Sequence, residues 1–269
     1  MDEESDNQPL HIPGVVLRER RFLRHVGNVL QFTWLKSKDQ EERKGLLEDL
    51  LPCLACAAVS SNDFLSLQEI LSKTDVNRAD YYGRTPLHIA AAAGNVDMLK
   101  FLLSWRAETT IHDRFGYTPL HDAIRAKKFD VIRILKVKSA KVAISPMKIG
   151  MELCLAVYNQ DHDLLRAWYL AGADLDQGDY SNRTAMHIAV CSNYLPTVDV
   201  LLRYGATPLV KDNWGATAVD EARASGFTSI YNMFHPRFTE HVTTKEEYLR
   251  LKAEEFPGGD LLIENISYY

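Results

Sequence analysis

The sequence lacks the features of a membrane-spanning, secreted or nucleic-acid-binding chain. It contains no apolar run of about 18 residues, the length that a bilayer-spanning helix requires, and so predicts no membrane span. It opens with the acidic stretch Met1-Asp2-Glu3-Glu4, which does not match a secretory signal peptide. A formal net charge of -5 provides no basic footprint for nucleic acid. We therefore expect a cytoplasmic protein with neither a membrane nor a nucleic-acid partner.

Cysteine is scarce, with four residues in a chain of 269: Cys53, Cys56, Cys154 and Cys191. The first two form a C-x-x-C, a spacing that occurs in redox and zinc sites. Neither a second C-x-x-C nor a nearby histidine pair completes the ligand set of a structural zinc ion. Because the pair lies in an Ala-rich stretch with a helical pattern, we interpret both residues as small buried apolar side chains. No metal and no other cofactor is predicted.

The motifs of common hydrolases and nucleotide-binding enzymes are missing as well. The sequence contains no G-x-S-x-G, no glycine-rich phosphate loop, no H-E-x-x-H and no dinucleotide-binding glycine pattern. Ser225 lies in the stretch Ala224–Phe227, but the glycine that opens a nucleophile elbow is absent there. The sequence therefore predicts a chain without a catalytic centre and without a small-molecule substrate.

What the sequence does contain is a repeated motif. The stretch Gly83–Ala90, GRTPLHIA, recurs as GYTPLHDA at 116–123 and as NRTAMHIA at 182–189, with a worn copy, GATAVDEA, at 215–222. The apolar residue of these copies falls at positions 87, 120, 186 and 219, that is, at intervals of 33, 66 and 33. Leu153 fills the missing position in the 66-residue interval. The chain thus carries a 33-residue period.

A 33-residue period with T-P-L-H-x-A at the start of a helix resembles the ankyrin repeat. The resemblance implies an all-α solenoid of about six helix-turn-helix repeats, with short turn or hairpin fingers and with flanking N- and C-terminal helices. In the second repeat Thr85 is suited to cap the first helix and Pro86 to its first turn. The first repeat lacks T-P-L-H, as expected of a terminal copy. The fourth lacks a turn motif between Lys141 and Gly150, so we expect an altered finger there.

Four regions follow from this pattern. Residues 1–14 are predicted to be a disordered acidic tail, 15–51 an N-terminal helical segment and linker, 52–236 the ankyrin-repeat domain, and 237–269 a C-terminal helix and tail. The sequence Thr-Thr-Lys-Glu-Glu at 243–247 is a capping-box pattern, which predicts a helix over 244–256. We expect the apolar last ten residues to pack against the last repeat.

Two sets of polar residues recur in register with the period. Three histidines share one repeat position: His88, His121 and His187. Stacked repeats would separate them by roughly 10 Å, too far to share one metal ion, so we interpret each as a hydrogen-bonding link between a turn and its helix. Four aspartates share another position: Asp80, Asp113, Asp179 and Asp212. Each precedes its turn by the offset at which a carboxylate accepts backbone N–H groups, which favours a structural role over acid–base chemistry.

The irregular segments carry a second resemblance. Leu51–Ala58, LPCLACAA, and Gly150–Cys154, GMELC, resemble the C-terminal ankyrin region of cytosolic L-asparaginase/lysophospholipase proteins, over about residues 28–226. The resemblance implies an upstream catalytic domain with threonine nucleophiles in T-G-G-T-like and D-G-T-like loops. This chain has neither motif, and about 50 residues before the first repeat cannot hold such a domain. We therefore carry over no catalytic residue. A stand-alone relative, a short isoform and a partial gene product all remain open.

These patterns favour a non-catalytic scaffold that binds protein partners. Aromatic and arginine residues, which dominate protein interfaces, are concentrated at the expected finger tips: Tyr82, Arg84, Phe115, Tyr117, Tyr180, Arg183 and Trp214. Polar residues occupy non-consensus positions on the expected first helices: Asp122, Arg125 and Glu221. A rival hypothesis is the regulatory or oligomerising end of an asparaginase-like amidohydrolase. A third, the tail module of a membrane channel, has only the fold in its favour.

Overall fold

The protein is described by a computed structural model in which residues 40–234 and 244–255 are placed. This part of the chain forms 13 α-helices and no β-strand. They are α1 (Gln40–Ser60), α2 (Phe64–Leu71), α3 (Pro86–Ala93), α4 (Val96–Ser104), α5 (Pro119–Arg125), α6 (Phe129–Val137), α7 (Pro146–Tyr158), α8 (His162–Leu170), α9 (Ala185–Cys191), α10 (Leu195–Arg203), α11 (Ala218–Ala224), α12 (Thr228–Met233) and α13 (Lys245–Glu255). The predicted all-α repeat class is confirmed.

Several sequence-based expectations lie outside the described residues. They concern the acidic tail over 1–14, the N-terminal segment up to residue 39, the end of the last repeat at 235–236, and the apolar tail after residue 255. Within the described ranges, no helix combines the length and the apolar character needed to cross a bilayer.

The helices fall into two compact units that divide between Ala143 and Ile144. In the first unit the leading helices α1, α3 and α5 pack against one another in order, and the following helices α4 and α6 contact each other. In the second unit α7, α9 and α11 form the same succession, and α8, α10 and α12 form the other. Each unit is therefore built by stacking helix pairs, as the repeat requires.

The core of each unit contains the residues that define the period. The apolar residue of every copy is at most 5% exposed. These residues are Leu87, Leu120, Leu153, Met186 and Val219. Burying a side chain of this size contributes about 1.5–3 kcal/mol to stability. Each repeat therefore contributes one such buried side chain every 33 residues. Small residues such as Ala90 and Ala123, fully buried, let neighbouring helices approach closely.

The second repeat shows how the sequence sets the helix ends. Thr85 is the N-cap of α3 and Pro86 is its first residue, as predicted. Gly94 ends the helix with a φ of +77°, in the left-handed region that glycine adopts without strain. Asn95 then caps α4, because its side chain accepts a hydrogen bond of 3.0 Å from the Met98 N–H.

The two irregular repeats differ from the regular ones by longer leading helices. In the fourth repeat α7 has 13 residues and Leu153 is its eighth, whereas Leu87 is the second residue of the eight-residue α3. Helix therefore replaces the missing turn motif of the fourth repeat. In the first repeat α1 runs for 21 residues and contains Pro52. The predicted start of the repeat domain at Pro52 thus falls inside a helix.

Within the second unit, an ion-pair cluster joins the C-terminal helix α13 to the loop between α8 and α9. Nζ of Lys245 lies 2.8 Å from Oδ1 of Asp174 and 2.7 Å from Oδ2 of Asp176. A lysine at the first residue of a helix opposes the helix dipole, and these two carboxylates offset that cost. Tyr248, one turn further on, is 1% exposed.

Candidate protein-interaction surface

The turn fingers are stabilised by their repeated aspartates. Oδ1 of Asp80 accepts hydrogen bonds from the N–H groups of Tyr82 and Arg84, at 2.8 and 2.9 Å. The carboxylates of the other three repeated aspartates each accept the corresponding pair of backbone N–H groups in their own turns. The predicted structural role of the four aspartates is therefore confirmed. Each finger presents its tip residues from a backbone that is already ordered.

Two of the three repeated histidines, His88 and His187, link their turns to their helices and also to the next finger. The predicted link to the turn is not found at His121, whose Nδ1 makes no such hydrogen bond. Nδ1 of His88 accepts from the Thr85 N–H at 3.1 Å, so this nitrogen carries no proton. Nε2 then carries the proton and donates to the carbonyl of Tyr117 in the next repeat, at 3.1 Å. Burial lowers the pKa of His88, which keeps the ring neutral. His187 makes the equivalent contacts at 3.1 and 3.2 Å.

Two cysteines make this inter-repeat link where the histidine is missing. Sγ of Cys154 donates to the Arg183 carbonyl at 3.4 Å, and Sγ of Cys56 donates to the Arg84 carbonyl at 3.5 Å. Burial raises the pKa of both thiols, that of Cys154 to about 12, so each keeps the proton that it donates. The interpretation of Cys53 and Cys56 as buried apolar side chains was incomplete, because Cys56 donates this bond and Cys53 is only partly buried. For Cys154 the available signal was the register, because it precedes His187 by 33 residues, whereas Cys56 precedes His88 by 32.

In the first unit the finger residues form alternating arginine and tyrosine contacts. The guanidinium carbon of Arg84 lies 5.0 Å from the ring centroid of Tyr82, and that of Arg114 lies 4.7 Å from the ring of Tyr81. Both distances are within the range of cation–π attraction. Tyr81, Tyr82 and Phe115 are 74%, 51% and 66% exposed. Tyr81 and Arg114 were not among the predicted site residues, although their separation of 33 positions equals one repeat period.

The contacts continue onto α5, where Arg125 and Asp122 lie. The guanidinium carbon of Arg125 is 5.5 Å from the ring of Tyr117, and that ring is 4.2 Å from the His121 ring. Asp122 is half-buried, and burial together with the nearby Asp113 carboxylate raises its pKa to about 6. Its side chain carries a full negative charge only above that pH.

In the second unit the predicted residues Arg183 and Glu221 meet directly. Nη2 of Arg183 donates to Oε1 of Glu221 at 2.7 Å and to Sγ of Cys191 at 2.8 Å, and the thiol donates to the same carboxylate oxygen at 2.9 Å. Burial is the main cause that raises the pKa of the Cys191 thiol, and the hydrogen bond to the Glu221 carboxylate raises it further. Tyr180 and Trp214, at the tips of these fingers, are 72% and 74% exposed. Cys191 was not anticipated as a member of this cluster.

The two units place corresponding residues differently. Arg84 and Arg183 are 99 residues apart, or three periods, and so are Asp122 and Glu221. Glu221 forms an ion pair with Arg183, whereas the shorter Asp122 forms none with Arg84 among the described residues, and Arg84 pairs with Asp80 of its own turn at 3.0 Å instead. The predicted site residues therefore form two clusters of different charge character, one in each unit.

The repeat, the stacked helix pairs and the fingers together define an ankyrin-repeat protein. A family profile described as "Ankyrin repeats (3 copies)" matches residues 54–145 and 153–235. The chain belongs to the ankyrin-repeat family.

Relatives share this region within much larger proteins. The chain is 34% identical to an L-asparaginase of Dirofilaria immitis over 199 residues, which are 74% of this chain and 33% of that protein. It is 40% identical to a 60 kDa lysophospholipase of Mus musculus, over 62% of this chain and 30% of that protein. It is 38% identical to the potassium channel KOR1 of Oryza sativa subsp. japonica, over 61% and 19%. The chain spans a third or less of the length of these three proteins.

Proposed function

We propose that this chain is a non-catalytic scaffold that binds a protein partner through its turn fingers and the adjoining leading helices. The observation that carries this proposal is the exposure of large aromatic side chains on ordered turns, with Tyr82, Phe115, Tyr180 and Trp214 all at least half exposed. Exposed aromatic clusters of this kind mark interaction sites, and aromatic and arginine residues supply most interface hot spots. The proposed location is the cytoplasm.

The polar residues of the fingers support binding rather than catalysis. The repeated aspartates accept backbone N–H groups, and His88 and His187 spend both ring nitrogens on backbone groups. Within the described residues, no group of three or more His, Cys, Asp or Glu side chains is arranged to hold a metal ion. The chain is about as identical in sequence to a protein named as an enzyme, at 34%, as to one named as a channel, at 38%. This indicates that what the chain shares with both is the repeat itself.

The test is loss of partner capture when the finger tips are truncated. We expect Tyr117→Ala combined with Trp214→Ala to reduce the recovery of partners from cytosol at least about tenfold, since hot-spot aromatics contribute about 2 kcal/mol or more each. Tyr158→Ala is the matched control, because Tyr158 is 70% exposed but lies at the end of α7. Unchanged recovery with unchanged helical content would contradict binding through these fingers.

A second candidate function is the regulatory or oligomerising part of an asparaginase/lysophospholipase-like amidohydrolase. It is favoured by the 34% and 40% identity to proteins of those names. A transcript that encodes a T-G-G-T-type loop upstream of Met1 would support it. Association of the purified chain into a defined oligomer, measured by light scattering, would support it further. Hydrolysis of asparagine by the purified chain alone would overturn the non-catalytic assignment.

A further inference from the structure

The first unit carries a surface on which three arginines alternate with three tyrosine rings. It consists of Arg84, Arg114, Arg125, Tyr81, Tyr82 and Tyr117, and we call it the Arg/Tyr surface. Each guanidinium lies over one ring, at 4.7 to 5.5 Å from the centroid. A guanidinium held over a ring has lost much of its rotamer freedom before a ligand arrives, while its N–H edge stays available for hydrogen bonds.

Two of these arginines lack a carboxylate partner within the described residues. Arg84 forms an ion pair with Asp80, but neither Arg114 nor Arg125 has an aspartate or glutamate of the described chain within ion-pair distance. Arg114 donates to the backbone carbonyl of Tyr81 at 3.2 Å, which leaves its charge uncompensated. An unpaired guanidinium favours a carboxylate ligand, which it can bind through two parallel hydrogen bonds.

The nearby carboxylates are directed to other partners. Asp80 accepts two backbone N–H groups and the Arg84 side chain, and its own side chain is only 8% exposed. Asp113 accepts the N–H groups of Phe115 and Tyr117. The exposed charged side chains of this surface are those of Arg114 and Arg125, whereas Asp80, Asp113 and Asp122 are partly buried. A ligand that approaches from solvent therefore meets the two guanidinium groups first.

From this arrangement we infer that the Arg/Tyr surface binds an acidic segment of the partner protein, with its Asp or Glu carboxylates on the guanidinium edges and an apolar side chain against the exposed rings. The inference rests on the proposed scaffold function and specifies the chemistry of the partner. Aromatic faces beside fixed guanidinium groups provide apolar contact and charge recognition within one turn finger.

Asp122 modulates this surface through its own charge. The charged or titratable groups that act on it are Asp113, His121, Arg125 and Arg84. Its pKa is raised to about 6, so lowering the pH from 7.5 to 5.5 removes a negative charge beside Arg125. Glutamates of a bound peptide, with an ordinary pKa near about 4.3, stay ionised over this range. Binding of acidic peptides should therefore strengthen as the pH falls, and Asp122→Asn should reproduce that gain at pH 7.5.

To test this inference, a displayed library of random peptides is selected for binding to the immobilised chain. We expect the enriched peptides to contain an excess of Asp and Glu. Arg114→Glu combined with Arg125→Glu should weaken their binding at least about tenfold, because it replaces two attractions by two repulsions. Lys136→Glu combined with Lys138→Glu is the control, since it makes the same charge change at the exposed end of α6. Raising the salt concentration should weaken binding to the wild type more than to the double arginine variant.

The outcomes separate this inference from the scaffold proposal. Enriched peptides that lose binding with Phe115→Ala but show no acidic excess would overturn the acidic-partner inference and leave the scaffold proposal standing. Acidic peptides that bind equally to the double arginine variant would also overturn it, because they would bind elsewhere. Failure to enrich any peptide would count against both.

Discussion

The two units build the same finger from the same aspartate, yet they use the arginine of that finger differently. In the first unit Arg84 stays within its own turn, paired with Asp80 and lying over Tyr82. In the second, Arg183 reaches Glu221 of the next repeat. The residue in register with Glu221 is Asp122, which is shorter by one methylene group. The comparison teaches that consensus residues set the shape of the finger, while one non-consensus position decides whether its arginine pairs within its own turn or with the next repeat.

The largest difference between the two units is expected when the finger of only one of them is strained. Gly83 has a φ of +76°, and a Cβ there would lie 2.8 Å from the backbone nitrogen of Arg114. Gly215 has a similar φ of +83°, but a Cβ there would meet nothing within 4 Å. We expect Gly83→Ala to lower the free energy of unfolding by about 3 kcal/mol, and Gly215→Ala by about 1 kcal/mol, since only the first adds a backbone clash to the conformational cost.

Urea unfolding followed by circular dichroism measures both glycine variants. Equal losses would show that the close approach of Gly83 to the next finger does not contribute to stability.

A smaller effect is expected from removing the thiol link of an irregular repeat. Cys154→Ala leaves the carbonyl of Arg183 without its donor and should cost about 1–2 kcal/mol. Cys154→Ser retains a donor and should recover part of that loss. Urea unfolding again provides the measurement. A serine variant no more stable than the alanine variant would mean that the sulfur acts only by filling space.

Glu221→Gln sharpens the comparison by making the second unit resemble the first. Arg183 then loses its ionised partner, and the pKa of Cys191 should fall, because Glu221 raises it and Arg183 lowers it. More thiolate at pH 8 should speed alkylation of Cys191 by iodoacetamide several-fold, as followed by mass spectrometry of the modified peptide. The rate for Glu152→Gln serves as the control. An unchanged alkylation rate at Cys191 would mean that burial alone raises the pKa of this thiol.

The smallest effect concerns Asp122 and its pH dependence. Because the pKa of Asp122 is raised on folding, the ionised carboxylate destabilises the folded state above about pH 6. Asp122→Asn should therefore raise the urea midpoint slightly at pH 7.5, and the difference should shrink as the pH falls towards 4. Asp122→Glu, by contrast, supplies the longer side chain and should draw Arg84 from Asp80 to the carboxylate at position 122, which would weaken the binding of acidic peptides. A midpoint difference that is constant with pH would contradict the raised pKa.

The sequence predicted those features that depend on local rules. The buried leucines, the aspartates of the turns and the capping Thr85 could be assigned because each acts within a few residues of its own position. Three contacts could not be predicted in this way. They are the link between Cys154 and Arg183, the contact of Arg114 with Tyr81 and the ion pair of Arg183 with Glu221. They join residues 29 to 38 positions apart at non-consensus sites, where side-chain length and packing of neighbouring repeats decide the partner. The continuation of α1 through Pro52 was missed because proline was taken as a boundary.

The close approach of Gly150 to the loop before α9 limits how this chain can be rearranged. A Cβ at residue 150 would lie 2.2 Å from the carbonyl oxygen of Gly178, so only a hydrogen fits there. Regular repeats carry Arg84, Tyr117 or Arg183 at the same register. Any of these side chains, placed at residue 150 of the α7 helix, would therefore run into the backbone at Gly178. A designer who keeps the longer leading helix of this repeat must therefore keep glycine at residue 150 as well.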